Sequence, residues 1–246
     1  MYIKTGGLVL RETVYKESSK ILTVLTSDSG KLTVSAKGAR RRGSKTAAGT
    51  QLFTFSEMTL YEGRGGWTLT EVRCIEQFEG LRSDIEKLAL ASYFAELLET
   101  VSDEDMPSPL LLQLGLNALY ALSESLKDDM LIKSAFELRL MAIAGFAPQI
   151  DFCGVCGKKD VTSPRFSLDG YVRCSSCEGG AAPSVKLDSA ALDAMRYIIG
   201  ADAKRLFSFR LPDESLTCLS EAAERYVKYQ LDKSFYTLDY YKKVKI

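Results

Sequence analysis

The chain has 246 residues, of which 46% are apolar and 26% charged, and its formal net charge is zero. These values are ordinary for a globular protein of one large domain or of two or three small ones. The chain contains no histidine, which excludes catalytic triads and dyads with an imidazole base and any histidine-ligated metal site.

The zero net charge conceals two regions of opposite sign. Residues 1–50 hold ten Lys and Arg against three acidic residues, a local charge of +7, whereas residues 81–105 hold two against seven, a local charge of −5. A polyanion responds to the face that it meets rather than to the total charge. A nucleic-acid partner is therefore compatible with this composition, and the N-terminal region is where we expect it to bind.

The first eighty residues have the pattern of short β-strands. Five segments are rich in Val, Thr, Leu, Phe and Tyr, and glycine-bearing turns separate them: 2–14, 20–27, 31–36, 50–61 and 67–76. Five short strands predict a small closed barrel. An OB-fold is one solution, and an SH3-like barrel fits the pattern nearly as well.

A basic loop, Lys37–Thr46, follows the third of these segments. It holds five cations in nine residues: Lys37, Arg40, Arg41, Arg42 and Lys45. The spacing Gly38-x4-Gly43 resembles a phosphate-binding P-loop, but Ser44 stands where that motif requires lysine, and strand-like sequence follows where the motif requires a helix. We interpret the loop as a mobile arm that contacts nucleic-acid phosphates.

Four aromatic residues near this loop offer surfaces on which nucleobases can stack: Phe53, Phe55, Tyr61 and Trp67. We expect Phe53 and Phe55 to fill the barrel core instead. Trp67 follows two glycines on a predicted hairpin and is the better surface candidate.

After the fifth strand the sequence changes to helical spacing. Ser83 and Glu86 have the spacing of a capping box, which predicts a first helix. Ser108 followed by Pro109 indicates the start of a second helix, because proline is favoured at the first helical position. A third helix is predicted from about 129 to 144, and we expect the three apolar helices to pack as a bundle.

Two further helices and a tail complete the chain. The helices are predicted at about 188–200 and 214–234. In the tail we expect three tyrosines to pack against the rest of the protein: Tyr236, Tyr240 and Tyr241.

Four cysteines stand in two pairs, Cys153-x2-Cys156 and Cys174-x2-Cys177, with seventeen residues between the pairs. This spacing is typical of a zinc site, and without histidine all four ligands would be thiolates, a common form of structural zinc. Two disulfides or four unrelated thiols are the alternatives. Glycines follow each pair and allow the backbone to turn its amides towards sulfur: Gly157, Gly179 and Gly180.

Several features predict a cytoplasmic protein. The N-terminal MYIKTGGLVL has no basic segment before a long apolar run, so no secretory signal is expected. The most apolar segments, near 110–122 and 138–147, are shorter than the roughly 20 residues that cross a bilayer. Cys74 and Cys218 are isolated, as expected in a reducing compartment.

Three stretches resemble the bacterial RecO family of recombination mediators: KGARR at 37–41, FELRLMAIAGFAPQ at 136–149 and FSLDGYVRCSSC at 166–177. The order of barrel, helices, four-cysteine module and closing helices also agrees, so the resemblance covers nearly the whole chain. It implies an α+β protein. An OB-fold domain at 1–80 would precede a helical domain at 81–246, into which a zinc-ribbon-like module is inserted at about 150–182.

The resemblance also implies a function. RecO-like proteins are cytoplasmic, nucleoid-associated and without catalytic activity; they bind single- and double-stranded DNA and anneal complementary strands. With RecR they help load RecA onto strands coated by single-stranded DNA-binding protein (SSB). By matching position, Lys37, Arg40 and Arg41 are DNA contacts, with Arg42 and Lys45 as neighbours. Some members lack the cysteines, so a zinc ion here would be structural.

Two other classes of function stay open from the residues alone. One is an enzyme that carries a zinc ribbon as a structural insert, although no phosphate-binding motif is present and the acidic run Asp103–Asp105 has the character of a solvated turn. The other is an interaction adaptor whose basic loop binds an acidic peptide.

Overall fold

The structure, a computed structural model, describes residues 1–177 and 182–245. The strands in this part of the chain are β1 Tyr2–Tyr15, β2 Ser19–Thr26, β3 Lys31–Ala36, β4 Phe55–Gly63, β5 Gly66–Glu76, β6 Arg165–Ser167, β7 Tyr171–Arg173 and β8 Ser184–Lys186. The helices are α1 Ile85–Val101, α2 Pro109–Ser123, α3 Asp129–Ile143, α4 Ser189–Gly200, α5 Asp213–Gln230 and α6 Tyr236–Val244. None of the helices within the described residues is both long enough and apolar enough to cross a membrane.

The first five strands form a closed barrel in the order β1-β2-β3-β5-β4, which β4 closes by pairing with β1. β3 and β5 run parallel, with Val34 opposite Trp67. β1 pairs with both β2 and β4, and its register shifts between Val9 and Arg11, an irregularity that lets a strand bend between two partners. This topology confirms the OB-fold and decides against an SH3-like barrel.

Alternation of apolar residues along the strands fills the barrel interior. Members of this core come from each of the five barrel strands and are almost fully excluded from solvent: Val9, Leu22, Val24, Leu32, Val34, Met58, Leu60 and Leu69. β4 starts at Phe55, later than the sequence predicts, because residues 48–50 form a single 3₁₀ turn. The 3₁₀ turn and β4 stand directly after the basic loop, where a P-loop requires an α-helix, which removes the P-loop interpretation.

The cap of α1 differs from the predicted capping box. Asp84 is the N-cap, and its carboxylate accepts hydrogen bonds from the backbone N–H groups of Glu86 and Lys87 at 2.9 and 3.2 Å. Ser83 instead donates its hydroxyl to the carbonyl of Gly80 at 3.0 Å. A 3₁₀ turn precedes Ser83, so the extended backbone that a cap requires falls one residue later.

The chain forms two compact units. The first contains Met1–Glu124 and Phe235–Ile246, and the second contains Ser125–Ser234. In the first unit α1 packs against α2 and α6. In the second unit α3 packs against α4 and α5, so the expectation of a bundle of the first three helices is wrong. The domain boundary near residue 80 stays a prediction.

The C-terminal segment is a helix rather than an irregular tail. In α6, Leu238 and Tyr241 are buried, whereas Tyr236 and Tyr240 are 78% and 42% exposed. Of the three tyrosines expected to hold this segment down, Tyr241 does so. The sequence pattern did not predict α6, because nine residues give little more than two turns of periodicity.

Candidate nucleic-acid interface and metal centre

The basic loop Lys37–Thr46 is a series of tight turns. Gly38 and Gly43 have φ values of +71° and +75°, a left-handed conformation that glycine adopts without strain. The N–H of Arg41 donates to the carbonyl of Gly38, and the N–H of Ser44 donates to the carbonyl of Arg41, both at 3.0 Å. Ala39 is buried in the barrel core. These contacts anchor the backbone of the loop at Gly38, Ala39 and Arg41, and its mobility stays a prediction.

The loop is also fastened to the turn between β1 and β2. The backbone N–H of Arg40 donates to the carbonyl of Ser18 at 3.0 Å, and its guanidinium donates to the carbonyl of Glu17 at 3.2 Å. The N–H of Gly38 donates to the hydroxyl of Ser19 at 3.3 Å. These contacts hold the loop beside the hairpin.

The side chains of the loop leave their positive charge accessible. All five cations are exposed, and none of them forms a salt bridge with the residues that the structure describes: Lys37, Arg40, Arg41, Arg42 and Lys45. They lie on one ten-residue segment of the chain. Such a concentration of unneutralised charge is what a polyanion requires.

Elsewhere in the N-terminal region, acidic partners neutralise much of the positive charge. Lys4 binds Glu57 at 3.1 Å, Arg11 binds Glu99 at 2.8 Å, and Lys20 binds Glu12 at 2.6 Å. The pKa of Glu57 is lowered chiefly because its carboxylate accepts a hydrogen bond from Lys4, and secondly because it accepts one from Arg73. Sequence charge alone did not separate these paired cations from the unpaired ones in the loop.

The aromatic residues divide into core and surface. Phe53 is buried, as predicted, and Phe55 is half-buried. Trp67 packs against the barrel core and is half-buried, so it is less accessible than its place after two glycines indicated. Tyr61 is 41% exposed, and its ring contacts that of Tyr2 with centroids 4.9 Å apart.

The four cysteines of the two C-x2-C motifs lie close together in the second unit. Their sulfur atoms all lie within 4.8 Å of one another, and those of Cys156 and Cys174 are 3.8 Å apart. A disulfide would bring two sulfurs to about 2.05 Å, whereas four sulfurs at about 2.3 Å around a zinc ion lie about 3.8 Å from one another. The cluster therefore has the dimensions of a tetrahedral four-thiolate metal site.

Backbone hydrogen bonds in the cluster favour the thiolate form of Cys153. Gly157 turns the backbone with a φ of +72°, but its N–H donates to the carbonyl of Cys153 at 2.9 Å rather than to the sulfur atom that the sequence had led us to expect. Burial raises the pKa of Cys153, but hydrogen bonds from the backbone N–H groups of Cys156, Cys174 and Val155 outweigh it and bring that pKa to about 6. Gly179 and Gly180, which the sequence also placed near sulfur, lie outside the described residues.

Long-range hydrogen bonds fasten the cysteine module to the helices of its unit. The guanidinium of Arg196 in α4 donates twice to the carbonyl of Ile150, at 3.2 and 3.0 Å. In α5, Gln230 donates to the carbonyl of Leu168 at 2.7 Å. Sequence patterns did not predict these contacts, because each joins a helix side chain to a backbone carbonyl far away in the chain.

The stretch that resembles the RecO family at 136–149 has a structural role in this unit. Glu137 is fully buried and pairs with Lys133 at 2.8 Å. Arg139 donates to the carbonyls of Ile198 and Ile199 at the end of α4, where a cation satisfies carbonyls that have no partner within the helix. The motif therefore fixes α3 against its neighbours.

The whole chain is similar to proteins of one family. A family model described as Recombination protein O N terminal matches residues 1–78, and one described as Recombination protein O C terminal matches residues 82–239. The DNA repair protein RecO of Acetivibrio thermocellus is 35% identical over 243 residues, which cover 98% of this chain and 96% of the relative. That of Alkaliphilus metalliredigens is 32% identical, covering 99% of this chain and all of the relative. The chain therefore belongs to the RecO family of DNA repair proteins.

Proposed function

We propose that this protein is a recombination mediator in DNA repair that binds single- and double-stranded DNA and anneals complementary strands. With RecR it helps load RecA onto single-stranded DNA coated by SSB, in the bacterial cytoplasm and at the nucleoid. The observation that carries the DNA-binding part is the basic loop Lys37–Thr46, whose five exposed cations form no salt bridge with the residues that the structure describes. The OB-fold domain, residues 1–80, is the DNA-binding domain of this proposal.

Annealing requires no covalent chemistry. Two strands repel each other through their phosphates, and cationic side chains that neutralise those phosphates let the strands approach. Phosphate contacts carry no base information, so binding by this loop does not depend on sequence. The anchoring of the loop to the barrel and to the β1–β2 turn supports this role, since less conformational entropy is lost when an anchored loop binds.

The cysteine cluster is proposed to hold one structural Zn²⁺ ion through Cys153, Cys156, Cys174 and Cys177. The distances among the sulfurs and the backbone N–H groups directed at Cys153 support this assignment. Zinc with four thiolate ligands has no open position for a reactive water. The cluster thus argues against a zinc hydrolase, and we propose that the protein has no catalytic activity.

A salt titration of DNA binding tests the loop. In the variant with Arg40→Ala, Arg41→Ala and Arg42→Ala, the slope of log K against log salt for a single-stranded oligonucleotide is expected to fall by about 2, since each phosphate that is no longer neutralised reduces it by about 0.7. A matched control removes three exposed cations of the second unit: Lys204→Ala, Arg205→Ala and Arg210→Ala. Its slope should stay close to that of the parent protein.

An unchanged slope in the arginine variant would remove the loop from the DNA site. Binding of an acidic peptide but not of the oligonucleotide would establish the adaptor function instead. Mediator activity is tested separately by strand annealing on naked and on SSB-coated DNA, where the arginine variant should anneal more slowly on both.

A further inference from the structure

The tip of the β1–β2 hairpin projects into solvent. All seven residues from Arg11 to Glu17 are exposed, although the ladder continues to the pair Tyr15 and Ser19. Successive residues of a strand point to opposite faces, so both faces of this segment are in solvent. Two apolar side chains lie at its end, Val14 at 63% and Tyr15 at 46% exposure.

This tip adjoins the basic loop. Glu17, the last residue of the tip, and Ser18, which follows it, accept the two hydrogen bonds from Arg40 through their backbone carbonyls. The ammonium of Lys16 lies 5.2 Å from the ring centroid of Tyr15, and Lys16 has a φ of +55°, the left-handed conformation that turns the chain here. An exposed aromatic ring and its neighbouring cation thus belong to the hairpin to which Arg40 of the loop is hydrogen-bonded.

We propose that Tyr15 is a base-stacking residue of the DNA site, on which an unpaired nucleobase lies while Lys16 and the loop cations contact the adjoining phosphates. This inference rests on the proposed function. Phosphate contacts alone do not distinguish a single strand from a duplex, whereas an aromatic face accepts a base only when the base is unpaired. Tyr15 therefore gives the site a preference for single strands.

Other aromatic residues of the barrel are less suited to this role. Trp67 is half-buried against the core. The rings of Tyr2 and Tyr61 already contact each other at 4.9 Å. Tyr15 combines an exposed ring with a place two residues before Glu17, which binds Arg40 of the loop. Sequence-tolerant stacking sites have this arrangement of an aromatic surface beside a cationic segment.

Binding to two oligonucleotides tests the proposal. One is an ordinary single strand, and the other has the same length and the same sugar-phosphate backbone but lacks the nucleobases. Tyr15→Ala is expected to weaken binding of the ordinary strand at least about fivefold, the lower end of the effect of losing one stacked base. It should leave binding of the abasic strand and of duplex DNA unchanged. Tyr15→Phe keeps the ring and should bind like the parent protein.

The control is Tyr240→Ala, which removes an equally exposed tyrosine, 42% against 46%, from α6. Equal loss on ordinary and abasic strands, or no loss in Tyr15→Ala, would overturn the stacking role while loop-dependent binding stands. If the parent protein binds neither strand, the proposed DNA-binding function itself fails. Circular dichroism of each variant establishes that the barrel is folded, since Tyr15 is not part of the core.

Discussion

The carboxylate of Glu96 in α1 accepts two hydrogen bonds from Thr237 in α6, one from its backbone N–H at 3.3 Å and one from its hydroxyl at 2.5 Å. α6 has no side-chain cap of its own, because the residue at its N-cap is Phe235. Glu96 takes the place of that cap. A carboxylate at this position also interacts favourably with the positive end of the helix dipole.

We expect loss of this contact to loosen α6 from α1. Glu96→Ala should lower the free energy of unfolding by about 1 kcal/mol, the usual effect of removing an N-cap, and Glu96→Gln, which keeps an acceptor oxygen, should lower it less. A double-mutant cycle of Glu96→Ala with Thr237→Val, measured by urea unfolding, should give a coupling free energy of at least about 0.5 kcal/mol. Additive effects would show that the two side chains do not stabilise each other.

Arg40 and Arg42 should behave differently when each is replaced by alanine. The guanidinium of Arg40 is exposed and also donates a hydrogen bond to the carbonyl of Glu17. Arg40→Ala should therefore weaken DNA binding and also lower the free energy of unfolding by about 0.5–1.5 kcal/mol, the usual contribution of one hydrogen bond. Arg42→Ala should weaken DNA binding alone. Thermal unfolding and oligonucleotide binding of both variants check this difference. If Arg40→Ala and Arg42→Ala unfold at the same temperature, the hydrogen bond from Arg40 to Glu17 does not stabilise the fold.

The sequence predicted the barrel well because its strands alternate apolar and polar residues and glycine turns separate them. The five predicted segments correspond to β1–β5. Strand order was not accessible in the same way: the parallel pairing of β3 with β5, which distinguishes an OB-fold, depends on contacts between distant segments. The same limit applies to α6, whose cap, Glu96, lies 141 residues before Thr237.

The sequence predicted the cysteine cluster more completely than it predicted the basic loop. The spacing of the cysteines was enough to predict the metal cluster, since two C-x2-C pairs at this distance in the sequence are typical of a zinc site. The loop was visible as a run of cations, but its anchoring through Ala39 and Arg40 was not. Nor could charge counts show that Arg11 and Lys20 are already paired with acids, because ion pairs form in three dimensions.

Protein purified without chelator is expected to contain one zinc ion per chain by elemental analysis. Removal of the ion should lower the melting temperature by several degrees, because ligands that bind the folded state stabilise it. Single-stranded DNA binding should survive, since the loop belongs to the other unit. Cys156→Ser should reduce zinc content, whereas Cys74→Ser and Cys218→Ser, which alter cysteines outside the cluster, should not. A full complement of zinc in Cys156→Ser would contradict the assignment.

Tyr226 should make the protein less stable at high pH. Its hydroxyl donates to the carbonyl of Phe146 at 2.9 Å, and burial, then the charge of Asp169, raises its pKa from 10 to about 12. Below pH 10 both states keep the proton, so the full stability is present. Between pH 10 and about 12 the unfolded chain loses the proton while the folded protein retains it, and stability falls by up to about 3 kcal/mol.

Tyr226→Phe should remove this part of the alkaline loss. At neutral pH it should cost about 1 kcal/mol, because the carbonyl of Phe146 loses its partner. Urea unfolding from pH 8 to pH 11 gives the cost at neutral pH and about half of the alkaline loss, and the difference between variant and parent isolates Tyr226 from other titrating groups. Tyr240→Phe, at an exposed position, is the control and should follow the parent. Parallel curves for the parent and Tyr226→Phe would show that the buried hydroxyl does not retain its proton in the folded protein.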